Sequence, residues 1–154
     1  MAERISTRLN ALTSTVLSLF RIVFGLLFAL HGTTLLFGWP AGPRVPVGQL
    51  SWWAGLLELV LGALITVGLF TRIAAFIASG EMAVAFFTQH FPKGFWPTVN
   101  GGELSVLYCW AFFLLVFTGS GWLALDAILR RSRRKRVGKG ADAQGAPATS
   151  PAET

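Results

Sequence analysis

Cysteine is almost missing: the 154-residue chain has one, Cys109, set in an apolar run. A lone thiol excludes an intrachain disulfide. With no CxxC pair, it also excludes a self-contained dithiol centre and a set of thiolate ligands for an iron–sulfur cluster. An apolar setting disfavours the thiolate, so Cys109 reads as a small packing residue. Histidine is nearly as rare. His31 and His90 are the only two, and His90 falls at a helix end, so nothing places the pair across a bundle core to hold haem. No flavin, haem or iron–sulfur motif is present, so no cofactor is evident from motifs and any electrons have to come from a partner or a bound quinone. Charged residues make up 13% of the chain. The formal charge of +6 points toward nucleic acid, but seven of the thirteen basic residues lie in 130–139, directly behind an apolar helix. That placement marks a topology signal that also attracts anionic lipid, and no nucleic-acid partner is expected.

What the chain has in quantity is apolar surface, 53% of residues with a mean hydropathy of +0.60, too much for an ordinary soluble domain. The organising stretch is Trp52 to Phe70. It is long enough to cross a bilayer and holds one ionisable group, Glu58, well inside. A carboxylate at that depth costs roughly 2.5–3.5 kcal/mol on insertion scales, so Glu58 is expected to face protein or water. Gly55 and Gly62 flank it at i−3 and i+4, a small-residue face suited to close helix packing.

The expected fold class is all-α: a polytopic four-helix transmembrane bundle with both termini cytoplasmic. Residues 1–13 read as a polar N-terminal segment. The following apolar run, 14–37, lacks a cleavage pattern and reads as a retained first helix. Residues 38–49 hold three prolines and three glycines and form a loop. The second helix spans 50–70. Thr71 is a candidate N-cap for the third, 73–91. A loop at 92–102 leads to Asn100 and Glu103, which read as a capping-box-like start to the fourth helix. That helix either breaks near Gly119–Gly121 or bends and continues to about 129. The segment 130–154 reads as a basic, then disordered, cytoplasmic tail. Arg4, Arg8, Arg72 and the 130–139 cluster fall on one side, and only Arg44 and Lys93 on the other, which makes the first side cytoplasmic. Trp39, Trp52, Trp53 and Trp96 gather at the opposite interface.

Depth counting pairs the buried charges. Arg21 and Glu81 stand about equally far from the cytoplasmic ends of the first and third helices. His31 and Glu58 stand about equally far from the outer ends of the first and second. Arg21, Gly25, Phe28 and Gly32 share one face; Ala74, Ala78, Glu81, Ala85 and Thr88 share another. The Arg21–Glu81 pair reads as a register clamp or as a functional pair. His31 beside Glu58 is the stronger catalytic candidate, since an imidazole held by a carboxylate can pass protons to or from a quinol or small polar substrate. Glu103 reads chiefly as a favourable charge at a helix N-terminus and secondarily as a base.

These features together resemble the DoxX family of small four-helix membrane proteins over about residues 16–128. The matching residues are Arg21-x3-Gly25 with His31-Gly32, Glu58-x3-Gly62, and Gly68-Leu69-Phe70-Thr71-Arg72. Further along stand Asn100-Gly101-Gly102-Glu103 with Tyr108, and Gly119-x-Gly121 with Leu125-Asp126. The resemblance implies a bacterial inner-membrane protein that acts as, or serves, an oxidoreductase, with quinone as the implied redox partner and a partner oxidoreductase subunit or a second copy as protein partners. Glu58 and His31 are then the expected catalytic residues, and Arg21, Glu81, Glu103 and Tyr108 the expected substrate- or quinone-binding ones; no metal is implied. Two departures stand out. Leu35 occupies a position where the family often has Lys, which weakens a reading of anionic substrate at the outer face, and Ala124-Leu125-Asp126 stands for Ser-Leu-Asp. The rival readings are a small-solute carrier or channel and a non-catalytic assembly subunit.

Overall fold

The computed structural model describes residues 2–126, with side chains from Leu12 onward. Among them the secondary structure is entirely helical: α1 Ala2–Phe37, α2 Leu50–Val67, α3 Thr71–Ala85, α4 Pro97–Asn100 and α5 Glu103–Thr118. A π-helical turn, Phe86–His90, and a 3₁₀ turn, Phe91–Lys93, extend α3. Three helical stretches are long and apolar enough to cross a membrane: Leu12–Phe37, Leu50–Val67 and Thr71–Lys93. The fourth, Glu103–Thr118, is apolar and shorter. The segment read as a polar N-terminal stretch is helical from Ala2, so α1 begins well before the expected residue 14. The tail expected at 130–154 lies outside the described residues.

The helices run antiparallel in sequence order, with α1 packed chiefly on α2 and α3 on α5. One end of the bundle carries the α2–α3 turn and the segment after α5. The other carries the 38–49 loop and α4, with Trp39, Trp53 and Trp96 exposed. α2 stops at Val67, three residues short of expectation, because Gly68 takes up a left-handed conformation (φ 80°) and closes a Schellman turn: Gly68 N–H to Ile65 O at 3.1 Å and Leu69 N–H to Leu64 O at 3.0 Å. Thr71 is therefore the first residue of α3 and not its N-cap. Phe70 occupies the capping position without a side-chain hydrogen bond. The Thr71 N–H is instead met at 3.3 Å by Oδ2 of Asp126, 55 residues on, whose own N–H donates to Gly68 O at 3.1 Å.

The α1–α2 contact is a seam of backbone on backbone. A Cβ placed on Gly25 would meet Thr66 N at 2.8 Å, and one on Gly62 would meet Ala29 N at 2.5 Å. On Gly32 it would meet Gly55 O at 2.6 Å, and on Gly55 the Leu35 Cβ at 2.8 Å. Small residues allow this approach where lipid offers no hydrophobic drive between helices. The other half of the core is aromatic. Phe28 is fully buried, with its ring 4.7 Å from Phe112 and 5.3 Å from Tyr108, among Ile65, Ala75, Ala78 and Leu115. Ser79 bridges α3 to α5 by donating to Cys109 O at 2.9 Å, and the partly buried Cys109 side chain packs against the core.

The seam predicts a sharp contrast between two glycines. Gly62→Val, which forces side-chain atoms into the α1 backbone, is expected to destabilise the folded protein by about 1–3 kcal/mol. Gly80→Ala, whose Cβ meets nothing within 4 Å, is expected to leave stability within about 0.5 kcal/mol. Thermal unfolding in detergent checks both; equal losses would contradict the seam.

Candidate functional site

The close α1–α2 approach brings together two side chains from opposite helices. His31 Nδ1 lies 2.6 Å from Glu58 Oε2. Gly32, beside His31, faces Gly55, one turn before Glu58, so the glycine seam itself sets this contact. Glu58 is 2% exposed, whereas 45% of the His31 side chain is exposed. With the carboxylate accepting at Nδ1–H, Nε2 is the imidazole nitrogen left to accept or donate on the open side. His31 stands six residues before the end of α1, about 9 Å along the axis and within a membrane-spanning stretch.

Two further groups lie in the same neighbourhood. Both carboxylate oxygens of Glu81, on α3, are buried and have no hydrogen-bond partner among the described residues. They are near enough to Glu58 and His31 to interact electrostatically with both. Tyr108, on α5, is 6% exposed, stacks on Phe112 with ring centres 5.6 Å apart, and lies within electrostatic reach of Glu58. Four of the six expected site residues, His31, Glu58, Glu81 and Tyr108, are thus contributed by four different helices to one region. Among the described residues no group of three His, Cys, Asp or Glu is arranged to hold a metal ion.

Arg21 corrects the depth argument. It does not pair with Glu81. Fully buried, its guanidinium donates to four backbone carbonyls: Ile65, Thr66 at 2.5 Å, Ser120 at 3.0 Å and Leu123 at 2.7 Å. The physical reason is reach and number. A guanidinium has five donors on a long stem, and the last turn of α2 leaves carbonyls free at the negative end of its dipole. The carbonyls after α5 are supplied because that helix breaks: Gly119 and Gly121 adopt φ 80° and 70°, and the chain folds back over α1. Ser18 Oγ then accepts from the Leu123 N–H at 3.3 Å, and Thr15 Oγ1 from the Trp122 indole at 3.1 Å.

Glu103 also stands apart. It is exposed in the first turn of α5, with no hydrogen bond or ion pair among the described residues, in a position that suits the helix dipole. The expected Asn100–Glu103 capping box does not form. Asn100 belongs to α4 and staples the loop, its Oδ1 accepting from Gly102 N–H at 2.8 Å and its Nδ2 donating to Gly94 O at 2.7 Å. His90 Nδ1 lies 3.4 Å from Asn100 O, away from the His31–Glu58 contact. Sequence reasoning missed Asp126 as the cap of α3. Its signal was the Leu-Asp that follows the paired glycines.

The DoxX family model matches residues 16–91, a span that includes Arg21, His31, Glu58 and Glu81. An uncharacterized protein of Haemophilus influenzae is 45% identical over 117 residues, 71% of this chain and 87% of its own length. A second uncharacterized protein of the same organism is 28% identical over 74 residues, 48% of this chain and 49% of its own. No solved structure matches.

The arrangement around Arg21 predicts how it behaves in a double-mutant cycle. Arg21→Ala is expected to cost about 3 kcal/mol by stranding carbonyls that only a charged donor reaches. Its coupling to Glu81→Gln is expected to stay below about 0.5 kcal/mol. A coupling well above that in detergent unfolding would restore the ion pair.

Proposed function

This chain belongs to the DoxX family, and from that premise we propose that it is a quinone-linked subunit of a membrane oxidoreductase in which His31 and Glu58 handle protons. It is a multi-pass protein of the lipid bilayer. In this reading it crosses the bacterial plasma membrane four times, α5 being the last crossing, and both ends lie in the cytoplasm. The excess of basic residues at the Arg72 end supports that orientation.

The observation that carries the reading is the 2.6 Å contact between a half-exposed imidazole and a buried carboxylate at membrane depth. Leu27, one turn before His31 on the same face, is 49% exposed, so the ring emerges on apolar surface. That setting fits a lipid-soluble ring bearing a polar oxygen better than a hydrated ion. A quinone would supply a two-electron, two-proton couple. The chain's own residues would move the protons and a partner oxidoreductase the electrons. Glu58 holds Nδ1–H, fixes the ring and stabilises the imidazolium formed when Nε2 takes a proton from the quinol hydroxyl; the same atoms return it in the reverse direction. Glu81 and Tyr108 lie within electrostatic reach of Glu58, and Arg21 braces the bundle through backbone carbonyls elsewhere.

Full-length protein purified in mild detergent is expected to carry quinone. In membranes, His31→Ala and Glu58→Gln are each expected to lower quinone-dependent turnover about 100-fold, within the range for loss of a general base. His31→Ala, on a half-exposed side chain, should leave thermal stability nearly unchanged. Purified protein without quinone, together with unaltered turnover in both variants, would end this reading. Loss of stability without loss of turnover would mark an assembly role instead.

A further inference from the structure

A cleft of about 810 Å³ opens at the Arg72 end of the bundle, lined by Thr71, Arg72, Gly119, Ser120, Gly121 and Asp126 along with the start of the apolar part of α1. It lies at the far end of α1 from His31 and takes no part in the chemistry proposed above. Thr71 lines it as the first residue of α3. Thr71 is 2% exposed, and its hydroxyl is buried without a hydrogen-bond partner among the described residues, whereas most buried polar groups are met by protein, water or a bound ion. Beside it, the exposed Arg72 lays its guanidinium over Gly119 and makes one long hydrogen bond, 3.4 Å to Phe117 O, so most of its donors remain available.

The charges sort in favour of an anion. Asp126 is the acidic member of the lining, and among the described residues its Oδ2 accepts the Thr71 N–H at 3.3 Å. Arg72 is the basic member, in no ion pair among the described residues, at the positive end of the 15-residue α3. Arg21 holds the Ser120 carbonyl, and in a trans peptide the Gly121 N–H of that same unit points away from the guanidinium.

We propose that this cleft binds a phosphate-bearing anion, with Arg72 pairing its charge and the Thr71 hydroxyl donating to a phosphate oxygen. The chemistry is common to a phospholipid headgroup and to free phosphate. The test uses the full-length chain in mild detergent and follows tryptophan fluorescence, since Trp122 borders the cleft-forming segment. Inorganic phosphate and dihexanoyl phosphatidylglycerol are titrated separately. Saturation by inorganic phosphate identifies a soluble ligand, and saturation by the short-chain lipid alone identifies a headgroup; either supports the site. Arg72→Gln is expected to weaken the saturable binding at least tenfold, and Thr71→Val at least threefold. The basic run at 130–139 also draws anions, but that binding survives both substitutions. The proposal is overturned by absence of saturation with both probes, or by unchanged affinity in Arg72→Gln. Should Thr71→Val fail to fold, Arg72→Gln decides alone, because the Arg72 side chain is exposed and its one hydrogen bond, to Phe117 O, is long.

Discussion

One guanidinium holds the bundle closed. Arg21 is fully buried, and its four carbonyl partners come from the end of α2 and from the segment after α5, up to 102 residues away. A cation within an apolar bundle is tolerable only when its donors are spent on fixed acceptors. Here the acceptors are backbone groups that the fold has to leave open in any case: the last turn of a helix and a glycine-broken loop. The Schellman turn at Gly68, the break at Gly119–Gly121 and the Asp126 cap of α3 are all organised around that one side chain. A Cβ on Gly68 would itself meet Arg21 Nη1 at 2.8 Å.

The candidate site depends on a different device at the other end. Gly25, Gly32, Gly55 and Gly62 let α1 and α2 touch through their backbones, and this shared approach sets the His31–Glu58 distance. The carboxylate is buried while the imidazole remains half open, so the pair has an inner and an outer side. Glu81, on a third helix, adds a second acidic group, its carboxyl oxygens buried without a hydrogen-bond partner among the described residues.

Much of this was legible in the residues. Apolar runs punctuated by proline and glycine located the helices, and depth counting found the His31–Glu58 contact because the two side chains are short and their helices are adjacent hairpin partners. The same counting failed for Arg21 and Glu81. Depth fixes height along the membrane normal but not azimuth, and a long side chain moves its charge away from its Cα. Arg21 reaches carbonyls near the end of the bundle, while the Glu81 carboxyl stays buried without a partner among the described residues. Thr71 and Asn100 resemble local caps in the sequence because rules for helix ends are local. The acceptor for Thr71 comes from Asp126, and no propensity at positions 68–74 announces it. After α5 the residues alone admit either a break or a bend; the helix ends at Thr118, and positive φ at Gly119 and Gly121 makes it a break.

The distribution of Arg21's partners along the chain also bears on biogenesis. Two of its carbonyls, at Ile65 and Thr66, lie in the hairpin that leaves the ribosome first. The other two, at Ser120 and Leu123, arrive only after α5 has been synthesised. Until then the nascent hairpin carries a cation with half its acceptors missing. A truncated or stalled chain is thereby distinguishable from a finished one, and a membrane quality-control protease that senses unsatisfied intramembrane charge would have a handle on the incomplete form alone.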